Sequence, residues 1–313
     1  MTNDSVTNWK TKQLPDLTGK RYLITGGNAG LGLEAAAHLR YANATVFITS
    51  RSAAKGAEAA ARLEQIHSAG DITVVELDLA SIASIHRAHE ALRSLCDGLD
   101  AVINNAGVMQ TPQKETADGF ELQFGTNHLG HFLLNYLIFD MIEARGGRVV
   151  PVSSIAHRSA PGINFDDPMF ANKYSPTKAY SQSKLANVMY GLELARRLKA
   201  ADSEAISVPA HPGYSATNLQ STGPQGLFKA IYRISNPLMA QSATDGARSI
   251  VLAAAGSEAV NGAYYGPTKH GDSRGPIGDS RVSEVARDES QASRLWSLSE
   301  ELLGITWDVG AST

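Results

Sequence analysis

The chain alternates short apolar runs with longer segments of mixed apolar and polar residues. The short runs are rich in Val and Ile, which is typical of buried parallel strands. Two of them contain a proline, Pro151 or Pro209, and each proline removes one ladder donor, so we expect irregular pairing there. The pattern predicts seven strands, at residues 21–24, 44–49, 72–77, 101–104, 148–152, 206–210 and 263–265.

The longer segments contain much Ala, Leu and Glu, which favour helices. Strands that alternate with helices of this length predict an α/β fold, a doubly wound parallel sheet with helices on both faces. No linker interrupts the alternation, so we predict one domain at residues 19–313 after an arm at 1–18. Residues 155–175 are expected to be irregular, and the polar, Gly- and Pro-rich stretch 271–279 is predicted to be a loop. The predicted helices are 31–40, 53–69, 81–96, 120–145, 178–200, 243–255 and 290–303.

The sequence TGGNAGLG at residues 25–32 joins the first strand to the first helix. Such a turn directs backbone N–H groups and a helix N-terminus at a phosphate. Gly26 would allow the chain to turn sharply, and Gly30 would let the backbone approach the ligand closely. Gly32 would let the helix pack close to the sheet. The motif taken alone is also compatible with an ordinary Gly-rich turn. As a dinucleotide site it predicts contacts from Gly26, Asn28, Ala29, Gly30, Leu31 and Gly32.

Tyr180 and Lys184 lie four residues apart on a predicted helix and therefore share one face. An ammonium near a phenol stabilises the phenolate and lowers its pKa, so the tyrosine can act as a general acid or base. A surface Tyr/Lys pair is the alternative for this motif alone. Ser153 and Ser154 end the fifth strand, where a hydroxyl would point into the ligand crevice and could take part in catalysis. The alternative is that they form an ordinary helix or loop cap. Asn127 lies inside a helical pattern, where Asn is unfavourable without a specific role.

Composition limits the compartment and the partners. The net charge is −3 and no Lys/Arg block occurs, which argues against nucleic acid or an anionic membrane as a partner. Cys96 is the only cysteine, which indicates a reducing compartment. The N-terminus is polar and no apolar run has membrane-spanning length, so we predict a cytoplasmic protein without a membrane anchor. His128 and His131 lack accompanying acidic or cysteine ligands, so no metal site is predicted.

Six motifs occur in the order and rough spacing of the short-chain dehydrogenases/reductases, and the resemblance extends from about residue 20 to residue 303. They are TGGNAGLG, NNAG at 104–107, Asn127, the serine pair, YSQSK at 180–184 and HPGYSAT at 211–217. TNHLGHF, SKLANVMYGLELARRL and RLWSLSEELLG resemble the retinol dehydrogenase-like branch, which is also similar to WW-domain oxidoreductases and protochlorophyllide reductases. The resemblance implies a Rossmann-type domain with a cofactor half at 19–150 and a catalytic half at 151–313.

The resemblance also implies roles for individual residues. Tyr180 would be the acid/base on the substrate oxygen, Lys184 would lower its pKa and hold the nicotinamide ribose, and Ser154 would bind the oxygen. Asn127 would hold a water that relays protons to Lys184. His211 would pack and not react. For the cofactor, Asp78 and Leu79 would flank the adenine, Asn105, Ala106 and Gly107 would line the ribose side, and Pro212, Gly213, Ser215 and Thr217 would hold the carboxamide.

The residues after the second strand predict the cofactor. Enzymes of this fold that use NAD place an acid there for the ribose 2′-hydroxyl, whereas this chain has Ser50 and Arg51. A guanidinium and a hydroxyl suit a 2′-phosphate, so NADP(H) is predicted over NAD(H), with Lys55 as a helper. The alternative is that Arg51 is a solvated loop residue.

Residues 217–240 are rich in apolar residues and contain Gly223 and Gly226 on either side of Pro224. This composition suggests a lid over a lipophilic alcohol or carbonyl, with a plain core helix as the alternative. The predicted function is interconversion of an alcohol and a ketone or aldehyde. Reduction of a C=C bond and non-catalytic sensing of NADP(H) are the alternatives. By analogy with the family, a homodimer or homotetramer would form through the helices at 120–145 and 178–200.

Overall fold

The central sheet contains six parallel strands. The computed structural model of the protein describes residues 5–214 and 242–310. The strands are β1 (Arg21–Ile24), β2 (Thr45–Ser50), β3 (Ile72–Glu76), β4 (Ala101–Asn104), β5 (Arg148–Pro151) and β6 (Ile206–Ser207). Their spatial order is β3-β2-β1-β4-β5-β6, and β1 pairs with both β2 and β4. The order reverses between β1 and β4, and such a switch point opens a crevice at the carboxyl ends of the strands.

Helices cover both faces of this sheet, as the alternating pattern predicts. Leu23 and Ile24 follow each other in β1 and belong to different hydrophobic cores on the two faces. The Leu23 core includes residues of the third and fifth helices, and the Ile24 core includes residues of the first and seventh. The helices are α1 (Gly30–Tyr41), α2 (Ala53–Glu64), α3 (Ile82–Leu95), α4 (Leu122–Phe124), α5 (Gly130–Glu143), α6 (Pro176–Ala200), α7 (Ala243–Ala255) and α8 (Glu289–Leu303).

The predicted helix 120–145 is not one regular helix. A π-helical turn, Gly125–Leu129, separates α4 from α5 and contains Asn127. Gly130 starts α5 where an added Cβ would lie 2.4 Å from the carbonyl oxygen of Leu79. The glycine therefore lets this helix approach the loop that follows β3.

Pairing at the β5–β6 edge is interrupted near the two prolines, as expected from their missing donors. Two residue pairs form the β5–β6 ladder, and contact resumes as an isolated parallel bridge between Val152 and Ala210. Ala210 makes a second parallel bridge, to Tyr265. The predicted seventh strand thus joins the sheet edge at one position, and from there it continues into a hairpin.

The prediction of a loop at 271–279 is wrong. β7 (Tyr265–Lys269) and β8 (Arg274–Asp279) form a two-stranded antiparallel sheet. One of the glycines that suggested a loop, Gly278, instead makes room for a neighbouring chain segment. A Cβ on Gly278 would lie 2.2 Å from the carbonyl oxygen of Val6, and Trp9 of the N-terminal arm bridges to Ile277.

Candidate active site

A cleft of about 730 Å³ lies at the carboxyl ends of the parallel strands, within the size range of small-molecule sites. Gly32 and Asn127, which the sequence also assigned to the site, do not line the cleft but contact residues that do. Ser215, Thr217 and the predicted lid 217–240 lie outside the described residues. The predicted site residues that line the cleft are Gly26, Asn28, Ala29, Gly30, Leu31, Ser50, Arg51, Asp78, Leu79, Asn105, Ala106, Gly107, Ser154, Tyr180, Lys184, Pro212 and Gly213.

The glycine turn packs directly against the end of β4. Gly26 and Gly30 have φ angles of 63° and 55°, which glycine adopts without strain. A Cβ on Gly32 would lie 2.5 Å from Asn105 Nδ2 and 2.6 Å from the carbonyl oxygen of Gly26. Asn105 Nδ2 itself donates to the carbonyl of Thr25 at 2.8 Å. Gly32 therefore lets α1 sit close enough for its N-terminus to face the cleft.

Gly32→Ala is expected to weaken dinucleotide binding by about tenfold or more, because backbone atoms of the turn must move to admit the methyl group. Calorimetric titration with NADPH measures the effect. The control is Gly162→Ala, whose added Cβ would meet only the flexible end of Gln291, at 3.2 Å. Unchanged affinity in Gly32→Ala would show that the turn does not hold the cofactor.

The two serines at the end of β5 have different partners. Ser153 is buried and its hydroxyl donates to the carbonyl of Lys184 at 2.7 Å, which ties the strand to α6. The Ser154 hydroxyl lines the cleft and accepts from Ala156 N at 3.2 Å, so it caps the short 3₁₀ turn Ile155–Ser159. A hydroxyl that accepts one hydrogen bond can still donate its own hydrogen. Ser154 is thus the serine that is placed to donate into the cleft.

Tyr180 and Lys184 lie one turn apart on α6 and both line the cleft. Lys184 Nζ is 6.0 Å from the centre of the Tyr180 ring and donates to the carbonyl of Val152 at 3.0 Å. Burial lowers the pKa of Lys184 from 10.5 to about 8. The structure therefore places a buried ammonium beside the phenol, as the spacing predicts.

Asn127 is fully buried and its side-chain amide is engaged by protein groups. Oδ1 accepts from Val108 N at 2.7 Å, and Nδ2 donates to the carbonyl of Val108 and to Ser183 Oγ, each at 2.9 Å. The amide thus holds the chain after NNAG against α6. Gly107 permits this approach, since a Cβ there would lie 2.8 Å from Asn127 Oδ1. The predicted water relay stays a prediction.

Sequence reasoning missed a hydrogen-bond chain behind the cleft. His131 Nδ1 lies 3.0 Å from the carbonyl oxygen of Asn127 and Nε2 lies 2.8 Å from Thr25 Oγ1. A carbonyl can only accept, so Nδ1 carries the hydrogen and Nε2 accepts from the threonine. Thr25 Oγ1 also accepts from Ala106 N at 2.9 Å. Burial lowers the pKa of His131 to about 4, so the ring is neutral. The i, i+4 spacing of Asn127 and His131 was the available signal.

The cleft beyond β2 is lined by Ser50 and Arg51, the two residues that the sequence predicts for a 2′-phosphate. Arg51 is exposed at its edge, and Asp78 is the one carboxylate among the described lining residues. Asp78 Oδ1 accepts from Ala80 N at 3.0 Å. The Ser50 hydroxyl donates to the carbonyl of Ser52 at 2.9 Å, so its hydrogen is used within the turn. The guanidinium of Arg51 is therefore the stronger candidate for a phosphate.

The histidines of the π-helical turn and α5 are structural. His128 is buried and its Nε2 lies 2.8 Å from Ser299 Oγ, which links the π-helical turn to α8. Burial lowers the pKa of His128 to about 3. Within residues 5–214 and 242–310, no three His, Cys, Asp or Glu side chains gather as metal ligands.

Comparisons with known proteins cover most of the chain. The family model for short chain dehydrogenases matches residues 20–226, which include Ser154, Tyr180 and Lys184. Human retinol dehydrogenase 12 is 38% identical over 295 residues, which cover 93% of this chain and 89% of that protein. Human retinol dehydrogenase 14 is 36% identical over 304 residues, with coverages of 92% and 87%. The crystal structure of an uncharacterized protein from Mycobacterium paratuberculosis has 38% identity, a TM-score of 0.78 and coverages of 96% and 98%.

Proposed function

Because the chain belongs to the short chain dehydrogenase family and is an NAD(P)-dependent oxidoreductase acting on alcohols or carbonyls, we propose that its cofactor is NADP(H) and that Tyr180 is its general acid/base. One observation supports the proposal above all. The same cleft is lined by the glycine turn and by Tyr180, Lys184 and Ser154. The turn and these three residues come from separate parts of the chain. A cleft that contains both a dinucleotide-binding turn and an acid/base pair is suited to hydride transfer. The hydride would move to or from the substrate carbon that bears the hydroxyl or carbonyl oxygen.

The residues of the cleft suggest how the protons move. The dinucleotide, when bound, supplies or accepts the hydride. In reduction, the Tyr180 hydroxyl gives its proton to the substrate oxygen, and in oxidation the phenolate takes the proton back. Ser154 donates a hydrogen bond to the same oxygen. The Lys184 ammonium stabilises the phenolate of Tyr180 through its charge, which burial strengthens.

The cradle for the dinucleotide is built from main-chain groups. The turn that contains Gly26 and Gly30 and the N-terminus of α1 would hold the phosphates. Asn105, Ala106 and Gly107 would line the ribose next to Lys184. Pro212 and Gly213 would meet the nicotinamide end.

Arg51→Ala is expected to raise the KM for NADPH by about tenfold or more while leaving the KM for NADH unchanged, because a charge-assisted hydrogen bond to the 2′-phosphate is lost. Steady-state kinetics with both cofactors measure the ratio. Arg62→Ala is the matched control, since Arg62 is also exposed and lies on α2 outside the cleft lining. Retained preference for NADPH in Arg51→Ala would contradict the proposed phosphate contact.

The proposal of a lipophilic substrate rests on the amino-acid sequence of segment 217–240, which lies outside the described residues. The named relatives carry retinol in their names, and a retinoid is therefore one member of a test panel. In the described parts of the chain, no helix is both long enough and apolar enough to cross a membrane. Cell fractionation tests the cytoplasmic location, which stays a prediction.

Part of the proposed dimer surface on α5 and α6 is covered by this chain's own C-terminal residues. Trp307 is buried, and its ring lies 5.2 Å from that of Phe132 and 6.3 Å from that of Tyr190. Trp296 of α8 packs on the same two rings. Pairing through α5 and α6 would have to use their remaining surface. The homodimer or homotetramer stays a prediction, and solution scattering tests it.

A further inference from the structure

The turn between β7 and β8 contains a buried carboxylate, that of Asp272, whose side chain is 4% exposed. Asp272 Oδ2 accepts from an Nη of Arg158 at 2.6 Å, from Arg281 N at 3.3 Å and from Ser280 Oγ at 3.4 Å. The Arg158 guanidinium also donates to the carbonyls of Gly271 and Arg281, at 3.3 Å and 2.8 Å. The carboxylate and the guanidinium are thus the centre of a hydrogen-bonded cluster.

One branch of this cluster leads to Ser154. Arg158 belongs to the 3₁₀ turn Ile155–Ser159 that Ser154 caps. The neighbouring His157 lies with Nδ1 2.7 Å from the carbonyl oxygen of Ser154, and its Nε2 accepts from Ser283 N at 3.3 Å. Two successive side chains therefore fasten the Ser154 turn to the segment that follows β8.

A second branch leads to the residues that would meet the nicotinamide. His211 Nδ1 accepts from Gly213 N at 3.1 Å, so Nε2 carries the hydrogen and donates to Ser280 Oγ at 2.7 Å. The Ser280 hydroxyl in turn donates to Asp272. The N–H of Tyr214 donates to a carbonyl of the hairpin turn at 2.8 Å. Residues 211–214 are therefore linked to the same carboxylate through Ser280, and to the hairpin turn that contains it through Tyr214 N.

The backbone of the hairpin turn is strained. His270, Gly271 and Asp272 follow one another with φ angles of 53°, 66° and 65°. Left-handed residues other than glycine persist where their surroundings force that conformation. Burial opposes ionisation of Asp272, but the bonds from Arg158 and from Arg281 N outweigh it and lower the pKa of the carboxyl. The carboxylate of this turn is therefore ionised and paired with Arg158.

We infer that Asp272 is a positioning residue that sets the distance between Ser154 and the 211–214 loop, and hence between the substrate oxygen and the nicotinamide end of the cofactor. This inference rests on the proposed function. The adenosine end of the cleft, at Ser50 and Arg51, is lined by other elements and does not depend on the hairpin. Loss of the carboxylate should therefore affect one end of the cofactor site and leave the other unchanged.

Asp272→Asn tests the inference with two probes, NADPH and 2′-phosphoadenosine diphosphoribose, which lacks the nicotinamide. The affinity of NADPH relative to that of the shorter probe is expected to fall by about tenfold, because the nicotinamide contacts lose their support. Affinity for the shorter probe should stay within about twofold of wild type, and kcat should fall by about tenfold or more. The matched control is Asp140→Asn, whose carboxylate pairs with Arg93 on the surface, also at 2.6 Å.

The double variant Arg158→Gln with Asp272→Asn replaces the ion pair by two amides that can bond to each other. We expect its loss of kcat to be smaller than the product of the two single losses. If Asp272→Asn does not fold, the double variant is titrated with the same two probes, and its affinity for NADPH relative to the shorter probe is expected to be lower than that of wild type. An unchanged affinity ratio and an unchanged kcat in a folded variant would overturn the inference and leave the proposed function standing. Failure of the wild-type protein to bind NADPH would overturn both.

Discussion

Replacing Tyr180 by Phe is expected to lower kcat by about 10²–10⁴-fold, the range that a positioned acid/base contributes. The substitution removes one oxygen atom from the ring that lies 6.0 Å from Lys184 Nζ and leaves the apolar contacts of α6 in place. NADPH affinity should change little, since the glycine turn and the end of β2 are untouched. Stopped-flow kinetics and calorimetric titration on one preparation separate the two effects.

Tyr41→Phe is the matched control, because Tyr41 is 71% exposed at the end of α1 and lies outside the cleft lining. Its kcat should equal that of wild type. If Tyr180→Phe keeps more than about a tenth of the wild-type kcat, another group must transfer the proton.

Lys184→Met is expected to make the cofactor-free protein more stable and at the same time to lower kcat by about 10²-fold or more. The folded chain holds the ammonium in a site where burial lowers its pKa from 10.5 to about 8. That difference corresponds to on the order of 3 kcal/mol of unfavourable free energy when the lysine is charged. The carbonyl of Val152, which Lys184 binds, keeps a second donor in Asn187 Nδ2 at 3.2 Å.

The stability gain should depend on pH with a definite sign. Below pH about 8 the folded wild type carries the buried charge, so the advantage of Lys184→Met is complete. Between pH about 8 and 10.5 the unfolded lysine still binds a proton that the folded one has lost, so wild type gains stability relative to the variant as pH rises.

Guanidinium unfolding at two pH values, one on each side of this window, measures the difference. Lys178→Met, at an exposed position in the first turn of α6, should show neither effect. A destabilised Lys184→Met at neutral pH would mean that the ammonium stabilises the fold.

The sequence was most informative where local spacing determines structure. The glycine turn, the serine pair and the i, i+4 pair of Tyr180 and Lys184 lie at the cleft because strand ends and one helix face bring them there. The apolar runs predict the central sheet because a strand that is buried on both faces consists mostly of apolar residues.

Long-range packing could not be predicted in the same way. Gly278 packs against Val6, which lies at the other end of the chain. Because the sequence does not mark this contact, it predicts a loop where the chain forms a strand. Asp272 and Arg158 are separated by 114 residues, and no local pattern marks them as partners. The π-helical turn contains Asn127, whose side chain bonds to the loop after β4, and no local pattern marks that contact either.

The most direct test of the central claim uses NADPH that carries deuterium at the reactive carbon of the nicotinamide. The wild-type protein is incubated with it and with a panel of aldehydes, ketones, quinones and a retinoid, and the products are examined by mass spectrometry. The account predicts deuterium on the carbon that bears the new hydroxyl group, and none with Tyr180→Phe in the same time. Deuterium on a former C=C carbon, or NADPH that binds tightly and transfers nothing to any member of the panel, would contradict it.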